Sequence, residues 1–311
     1  MVPRLFYSVL YHLAVARPLS DSRFSRRVKR WYADALDSKA KDYPVLTRVN
    51  HQWFLCPFSH QLTSYQRDYP LYDRQLARLC CWLQGSLRRT IHIIDIGSNV
   101  GDTVVNIGLK DAFYLCIEGD ENFSKYIHSN LDRRYHYSLE RCFLTDNPHE
   151  GSYSFTASNG TGRLTTSGEN LVTGLSSLDE LLRKNHEGMV FDLIKVDTDG
   201  FDFKVIRGAQ QCLKEQQPLL FFEWDKASCK EQGEEPLSIF PFLEELGYQE
   251  CILFDNFGHL MEKLDMGNKV LLQSYLDNSI GEGLPYYYDV LAVPGKGAFS
   301  ADELFSVFKP V

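Results

Sequence analysis

The stretch FDLIKVDTDGFDFKVIRG, Phe191 to Gly208, begins as an apolar run and then crowds Lys195, Asp197, Asp199 and Asp202 around Gly200. Side chains alternate along a strand, so Lys195 and Asp197 share a face, and Asp199 joins them if the strand continues. Two chemistries fit this spacing. One is a buried ion pair between Lys195 and Asp197 that fixes the loop, since a buried charge is costly unless paired. The other is an active-site edge, where Asp197 or Asp199 takes the proton of an acceptor hydroxyl and Lys195 keeps the neighbouring carboxylate ionised. Glu223 and Asp225 end the next apolar run, so carboxylates from two strand ends, Asp197 and Glu223 first, could also converge on Mg²⁺, which prefers oxygen ligands. The sequence permits the metal and does not require it.

A second chemical stretch is DIGSNVG, Asp95 to Gly101. Gly97 and Gly101 let the backbone turn tightly and let a ligand approach the start of a helix. The next apolar run ends in Glu118, placed to accept two hydrogen bonds from a ribose diol. A dinucleotide site would carry GxGxxG facing a pyrophosphate; here the third glycine is missing and an acid, Asp95, precedes the loop. That suits the amine and sulfonium of S-adenosylmethionine better than a phosphate. A nicotinamide-dependent oxidoreductase and a non-catalytic domain that keeps the fold and binds a partner are the alternatives.

These residues need strands and helices to hold them. From Thr90 the chain alternates between short apolar runs and helical patterns, which predicts parallel strands with crossover helices. Strands are expected at 91–96, 112–117, about 140–144, 191–196, 219–223, 248–254 and 287–293, with helices at 103–109, 122–131, 178–184, 201–213 and 239–246. The fold class is α/β, a doubly wound Rossmann-like sheet of about seven strands, whose ligands bind beyond the carboxyl ends of the strands. Residues 146–174, with ASNGTGRLTTSGEN, read as a mobile loop over the acceptor site. Residues 1–88 read as a helical extension or cap, broken by Pro18, Pro44, Pro57 and Pro70 and ending in an amphipathic helix over 72–87, ahead of a catalytic domain at 89–311.

Composition limits the partners. A formal net charge of -8 argues against nucleic acid, which selects a basic footprint. The N-terminus runs the other way, with Arg17, Arg23, Arg26, Arg27, Lys29 and Arg30 opposed only by Asp21, a pattern that fits a solvated helix face or, less commonly, peripheral contact with a membrane surface or a polyanion. Eight cysteines without a CxxC or metal-ligand spacing suit a reducing cytoplasm. Leu5 to Ala16 faintly resembles a signal peptide, but Tyr7, Tyr11 and His12 interrupt it and it is too short to span a bilayer. His51, His60 and His259 are lone histidines, and Tyr286 to Tyr288 read as packing for the closing strand.

Taken in order, DIGSNVG, IEGD (Ile117 to Asp120), LTDNPHEG (from Leu144), SSLDELL (Ser176 to Leu182), FDLIKVDTDGFDFKVIRGA and PLLFFEWD (Pro218 to Asp225) resemble the motif set of the FkbM family of S-adenosylmethionine-dependent methyltransferases. The resemblance covers roughly 90–293. It implies a class I methyltransferase fold with seven strands, the last antiparallel, and O-methylation of a hydroxyl on a saccharide, glycoconjugate or related natural product. It also implies that Asp95, Gly97, Ser98, Asn99 and Gly101 form the methionine end of the cofactor site, that Glu118 holds the ribose, and that Asp146 reaches the adenine. The chain has Asp199 where the family commonly has Glu, and its first 88 residues match no family pattern.

Overall fold

The computed structural model describes residues 2–16, 23–36, 39–149, 153–158, 161–165, 172, 175–279 and 286–309. Arg17 and Asp21 of the basic N-terminus, and parts of the Ser/Gly/Asn-rich stretch, lie outside the described residues. Helix α1 (Val2–Tyr11) runs into a π-helical turn at His12–Ala16, and α2 (Arg23–Leu36) follows. An antiparallel hairpin comes next, β1 (Pro44–Val49) with β2 (Gln52–Pro57), and then α3 (Leu62–Asp68) and α4 (Arg74–Leu87).

The hairpin corrects the all-helical reading of residues 1–88. Val45, Thr47 and Val49 are buried while Leu46 and Arg48 are exposed, the period of two that marks a half-buried strand. Its two-residue turn uses Asn50 and His51, both at positive φ (45° and 63°), the conformation that tight hairpins require.

The α/β part then unfolds as β3 (His92–Ile96), α5 (Asp102–Ile107), β4 (Phe113–Ile117), α6 (Glu121–Leu131) and β5 (His136–Glu140). Four short strands follow, β6 (Phe143–Leu144), β7 (Ser154–Ser158), β8 (Thr161–Thr165) and β9 (Leu175–Ser176). After them come α7 (Leu178–Asn185), β10 (Leu193–Val196), α8 (Asp202–Arg207), α9 (Gln210–Gln216), β11 (Leu219–Trp224) and α10 (Lys226–Glu231). The chain finishes with α11 (Ile239–Glu245), β12 (Tyr248–Asp255), β13 (Leu260–Asp265), α12 (Lys269–Asn278), β14 (Tyr288–Pro294) and α13 (Ala301–Phe308).

Eight strands form the main sheet in the order β13-β12-β14-β11-β10-β3-β4-β5. β14 is antiparallel to both of its neighbours, while β11, β10, β3, β4 and β5 run parallel. This is the class I methyltransferase arrangement, with β13 added at one edge as an eighth strand. The order reverses between β3 and β10, so the ends of these two strands flank the switch point where ligands bind. DIGSNVG and VDTDG leave from those two ends.

Three other expectations shift. The third sheet strand is His136–Glu140, and Phe143–Leu144, the more apolar run, pairs with Leu175–Ser176 in a separate ribbon. Within 146–174, expected to be a loop, β7 and β8 pair as an antiparallel hairpin. The helix expected over 201–213 is two helices, divided at Gly208 and Ala209.

Strand alternation splits the core into two layers. Ile93, Tyr114, Cys116, Leu193 and Phe221 face one layer, and Ile94, Leu115, Ile117, Ile194 and Phe222 face the other. The N-terminal extension belongs to the first layer through buried Tyr11, Val45, Phe54 and Phe58. Asn130 of α6 binds it in place: its amide donates to the Leu55 and Val100 carbonyls, each at 2.8 Å, and its oxygen accepts the Leu55 N–H at 2.8 Å. One side chain thus links the hairpin to the loop after β3. Among the described residues no helix is long and apolar enough to cross a membrane.

Candidate active site

Gly97 takes β3 into its turn with φ +77°, and a Cβ there would lie 1.8 Å from the carbonyl oxygen of Asp197. The two chemical stretches are therefore in direct backbone contact, and only glycine permits it. Gly97→Ala is expected to lose at least about 2 kcal/mol of stability, combining left-handed strain with overpacking, as read by urea unfolding.

Ser98 is fully buried and serves the loop itself. Its hydroxyl donates to the Asp95 carbonyl at 2.6 Å and accepts the Ile117 N–H at 3.0 Å. Asn99 sits at φ 49° and donates its backbone N–H to Glu118 Oε2 at 2.8 Å; Asp120 donates its backbone N–H to the other Glu118 oxygen, also at 2.8 Å. Two amides thus aim the Glu118 carboxylate. Burial pushes its pKa up to about 7, against the two backbone hydrogen bonds that pull it down.

On the neighbouring strand Lys195 stands beside Asp95 in register. Its Nζ lies 3.0 Å from Asp197 Oδ2, 3.4 Å from Asp95 Oδ1 and 3.1 Å from Thr103 Oγ1. Burial alone would lower the lysine pKa, but Asp197, Asp95, Asp102 and Asp73 outweigh it and hold the ammonium well above its ordinary value. Asp95 is fully enclosed, so the cation it faces is Lys195.

After Val196 the chain leaves the strand, and Asp199 takes a left-handed φ of 52° instead of continuing the alternation. Asp202 organises this turn by accepting from Thr198 N–H, Thr198 Oγ1 and Gly200 N–H at 3.4, 3.0 and 3.2 Å. Asp225 caps α10 through the Ala227 N–H at 2.9 Å.

Two clefts meet here. One, about 530 Å³, is lined by Gly97, Asn99, Glu118 and Gly119 together with apolar Ile117, Phe143 and Phe201. The other, about 1410 Å³, is lined by Lys195, Asp102, Glu223, His60 and the rings of Tyr65, Tyr72 and Tyr287. Gly97, Asn99, Asp197 and Asp199 line both. Gly101 caps the start of α5 behind the loop. Asp146 lies outside both clefts, held 3.0 Å from Arg207 by an ion pair, so its position leaves the adenine reading without support.

Several groups in or beside the clefts escaped the sequence reading. Asp289 of β14 stands opposite Glu223 of β11 in register, and burial, reinforced by neighbouring carboxylates, raises both pKa values well above the ordinary range. Asp73 is pushed up to about 6 and Asp102 to about 7, each mainly by burial. Tyr65, Tyr69 and Tyr72 recur at helical spacing, a signal present in the sequence, and Tyr65 stacks on Tyr72 with centroids 5.6 Å apart. Tyr288 packs the closing strand as expected, while Tyr286 and Tyr287 line the second cleft. Among the described residues no group of three or more His, Cys, Asp or Glu side chains could hold a metal ion. The Mg²⁺ reading of Asp197 and Glu223 therefore has no ligand cluster behind it.

The raised carboxyl pKa values set a pH dependence. Where the folded state holds protons that the unfolded chain releases, stability falls as pH rises. Below about 4 both states are protonated and the penalty vanishes. It grows through the folded values near 6 for Asp73 and near 7 for Asp102 and Glu118. The ligand-free protein is expected to melt at a higher temperature at pH 5.5 than at pH 8 in scanning calorimetry, and the reverse order would contradict this electrostatic picture.

Among curated proteins no relative of this chain is found. Solved structures give remote likenesses. The FkbM methyltransferase of Methylobacillus flagellatus aligns at 14% identity and TM-score 0.36, over 52% of this chain and 40% of its own. A putative O-methyltransferase from Klebsiella pneumoniae aligns at 13% and TM-score 0.38, over 71% and 80%. The N-methyltransferase NodS of Bradyrhizobium japonicum, solved with S-adenosyl-L-homocysteine, aligns at 12% and TM-score 0.41, over 75% and 88%. The family model for the methyltransferase FkbM domain matches residues 95–250, half of the chain, and that span runs from the acid before the Gly97 turn into β12, taking in the carboxyl ends of β3, β4, β10 and β11. The chain belongs to the methyltransferase FkbM domain family.

Proposed function

We propose that the protein is an S-adenosylmethionine-dependent O-methyltransferase whose acceptor is a hydroxyl on a saccharide, glycoconjugate or related natural product. The observation that carries this reading is the junction of the two clefts at Asp197 and Asp199. The smaller cleft suits the cofactor: Glu118 offers an aimed carboxylate for a ribose diol, and Ile117, Phe143 and Phe201 offer apolar walls for a base. When bound, S-adenosylmethionine supplies an electrophilic methyl group.

The chain's own work is to bind and orient the acceptor and to take its proton. Tyr65, Tyr72 and Tyr287 give the larger cleft flat faces, while Asn256 and the carboxylates offer hydroxyl partners, a balance suited to a polyhydroxylated ligand. Lys195 holds one oxygen of Asp197, so the carboxylate is fixed where the acceptor proton leaves. Asp199 lines the same junction and is the second candidate. Holding the hydroxyl in line supplies much of the rate, and the positioned base adds roughly a hundredfold or more.

Methyl-labelled S-adenosylmethionine incubated with the protein and a panel of hexoses and deoxyhexosides tests the reading. Label in a base-stable, acid-stable methyl ether is the expected product. Label found only as a methyl ester or methylamine would overturn O-methylation of a hydroxyl.

A further inference from the structure

We propose that the paired N-terminal helices α1 and α2 form a docking face for an anionic lipid surface. Helix α1 is apolar on two sides. Leu10 and Tyr11 point into the core, while Leu5, Phe6 and Val9, 69%, 53% and 50% exposed, form an outward stripe. A surface helix ordinarily turns polar residues outward, so this outer stripe needs a non-aqueous partner. The stripe continues into its surroundings: Tyr7 stacks on Tyr43 with centroids 5.2 Å apart, and Ser8 Oγ accepts the Leu46 N–H at 3.1 Å. Tyr43 and Leu46 are themselves exposed.

Helix α2 packs against α1 and supplies the charge. Val28 and Ser25 face inward, and Phe24 and Trp31, two helical turns apart, flank the outer face at 57% and 44% exposure. Between and beside them Arg27, Lys29 and Arg30 are exposed, with the Arg27 guanidinium 5.4 Å from the Trp31 ring. The helix carries five basic residues against one acid, Asp34, in a chain of net charge -8. The segment is thus basic where the rest of the protein is acidic.

A basic helix face bordered by aromatic residues, next to an exposed aliphatic stripe, has the make-up of an interfacial anchor. Charge complementarity selects the anionic surface, where each basic side chain adds binding that fades within a Debye length. Nucleic acid would satisfy the charges and leave Leu5, Phe6 and Val9 in water, so the aliphatic stripe decides for lipid.

Vesicle flotation of the full chain tests this. The protein is expected to float with vesicles of equal parts phosphatidylglycerol and phosphatidylcholine and to stay behind with phosphatidylcholine alone or in high salt. The double variant Lys29→Glu, Arg30→Glu and the double variant Phe24→Ser, Trp31→Ser are each expected to lose more than about tenfold in partition, with an unchanged melting temperature to show that they fold. Failure of the parent to float, equal flotation on neutral vesicles, or undiminished binding by both folded variants would overturn the proposal. So would tight binding to duplex DNA in place of vesicles. The readout is lipid partition alone, so its failure and that of the methyl-transfer reading are distinguishable.

Discussion

Asp197→Asn is expected to lower methyl transfer by about a hundredfold or more while S-adenosylhomocysteine still binds. The amide keeps the shape of the carboxylate at the meeting point of the two clefts, where Asp197 lines both. It removes the capacity to take a proton and the charge that faces Lys195 at 3.0 Å. The proposed cofactor groups at Gly97, Asn99 and Glu118 are left in place, so the loss is expected in kcat rather than in cofactor affinity. Asp199→Asn made alongside separates the two acids: Asp199 lines the same junction from the turn after β10, in a left-handed conformation that Asn also tolerates. Full turnover in both variants would remove the carboxylate base from the account.

Lys195→Met is expected to cost about 3 kcal/mol or more of stability at neutral pH, measured by urea unfolding. The reason lies in what it would leave behind. Asp95 is fully buried, and its carboxylate lies 3.4 Å from the Lys195 ammonium. Burial already raises the Asp95 pKa, and Lys195 is the largest influence pulling it back. Without the lysine the folded pKa rises further above the unfolded one. The deficit relative to the parent therefore grows as pH rises from about 4 and shrinks as Asp95 is protonated at lower pH. A loss that is constant across pH would assign the cost to lost packing by the lysine stem rather than to charge.

How much of this could be read in advance depended on how local each signal was. The strands that hold the site, β3, β4, β10 and β11, are apolar runs closed by Gly or acid, and their positions were legible from Ile91, Ile117, Val196 and Glu223. Glu118 was legible because it ends such a run. The β1–β2 hairpin was not, because its turn is Asn50-His51 rather than an Asn-Gly pair. Asp289 was not, because only the antiparallel pairing of β14 with β11 places it beside Glu223. For Asp146 the family resemblance implied an adenine contact, and its ion pair with Arg207, distant in sequence, was not legible. The lysine among the acids was visible from the first, but its three partners come from β3, α5 and the turn after β10. Its role as the hub of the site needed the sheet order.

The turn at Gly97, the aimed Glu118 and the junction at Asp197 are proposed to form a site for a sulfonium cofactor. Titration calorimetry of the protein with S-adenosylhomocysteine tests it most directly. One molecule bound per chain, with affinity weakened at least about tenfold in Glu118→Ala by loss of a charge-assisted hydrogen bond, is the predicted result. No heat with S-adenosylhomocysteine, together with saturable binding of NAD, would contradict it.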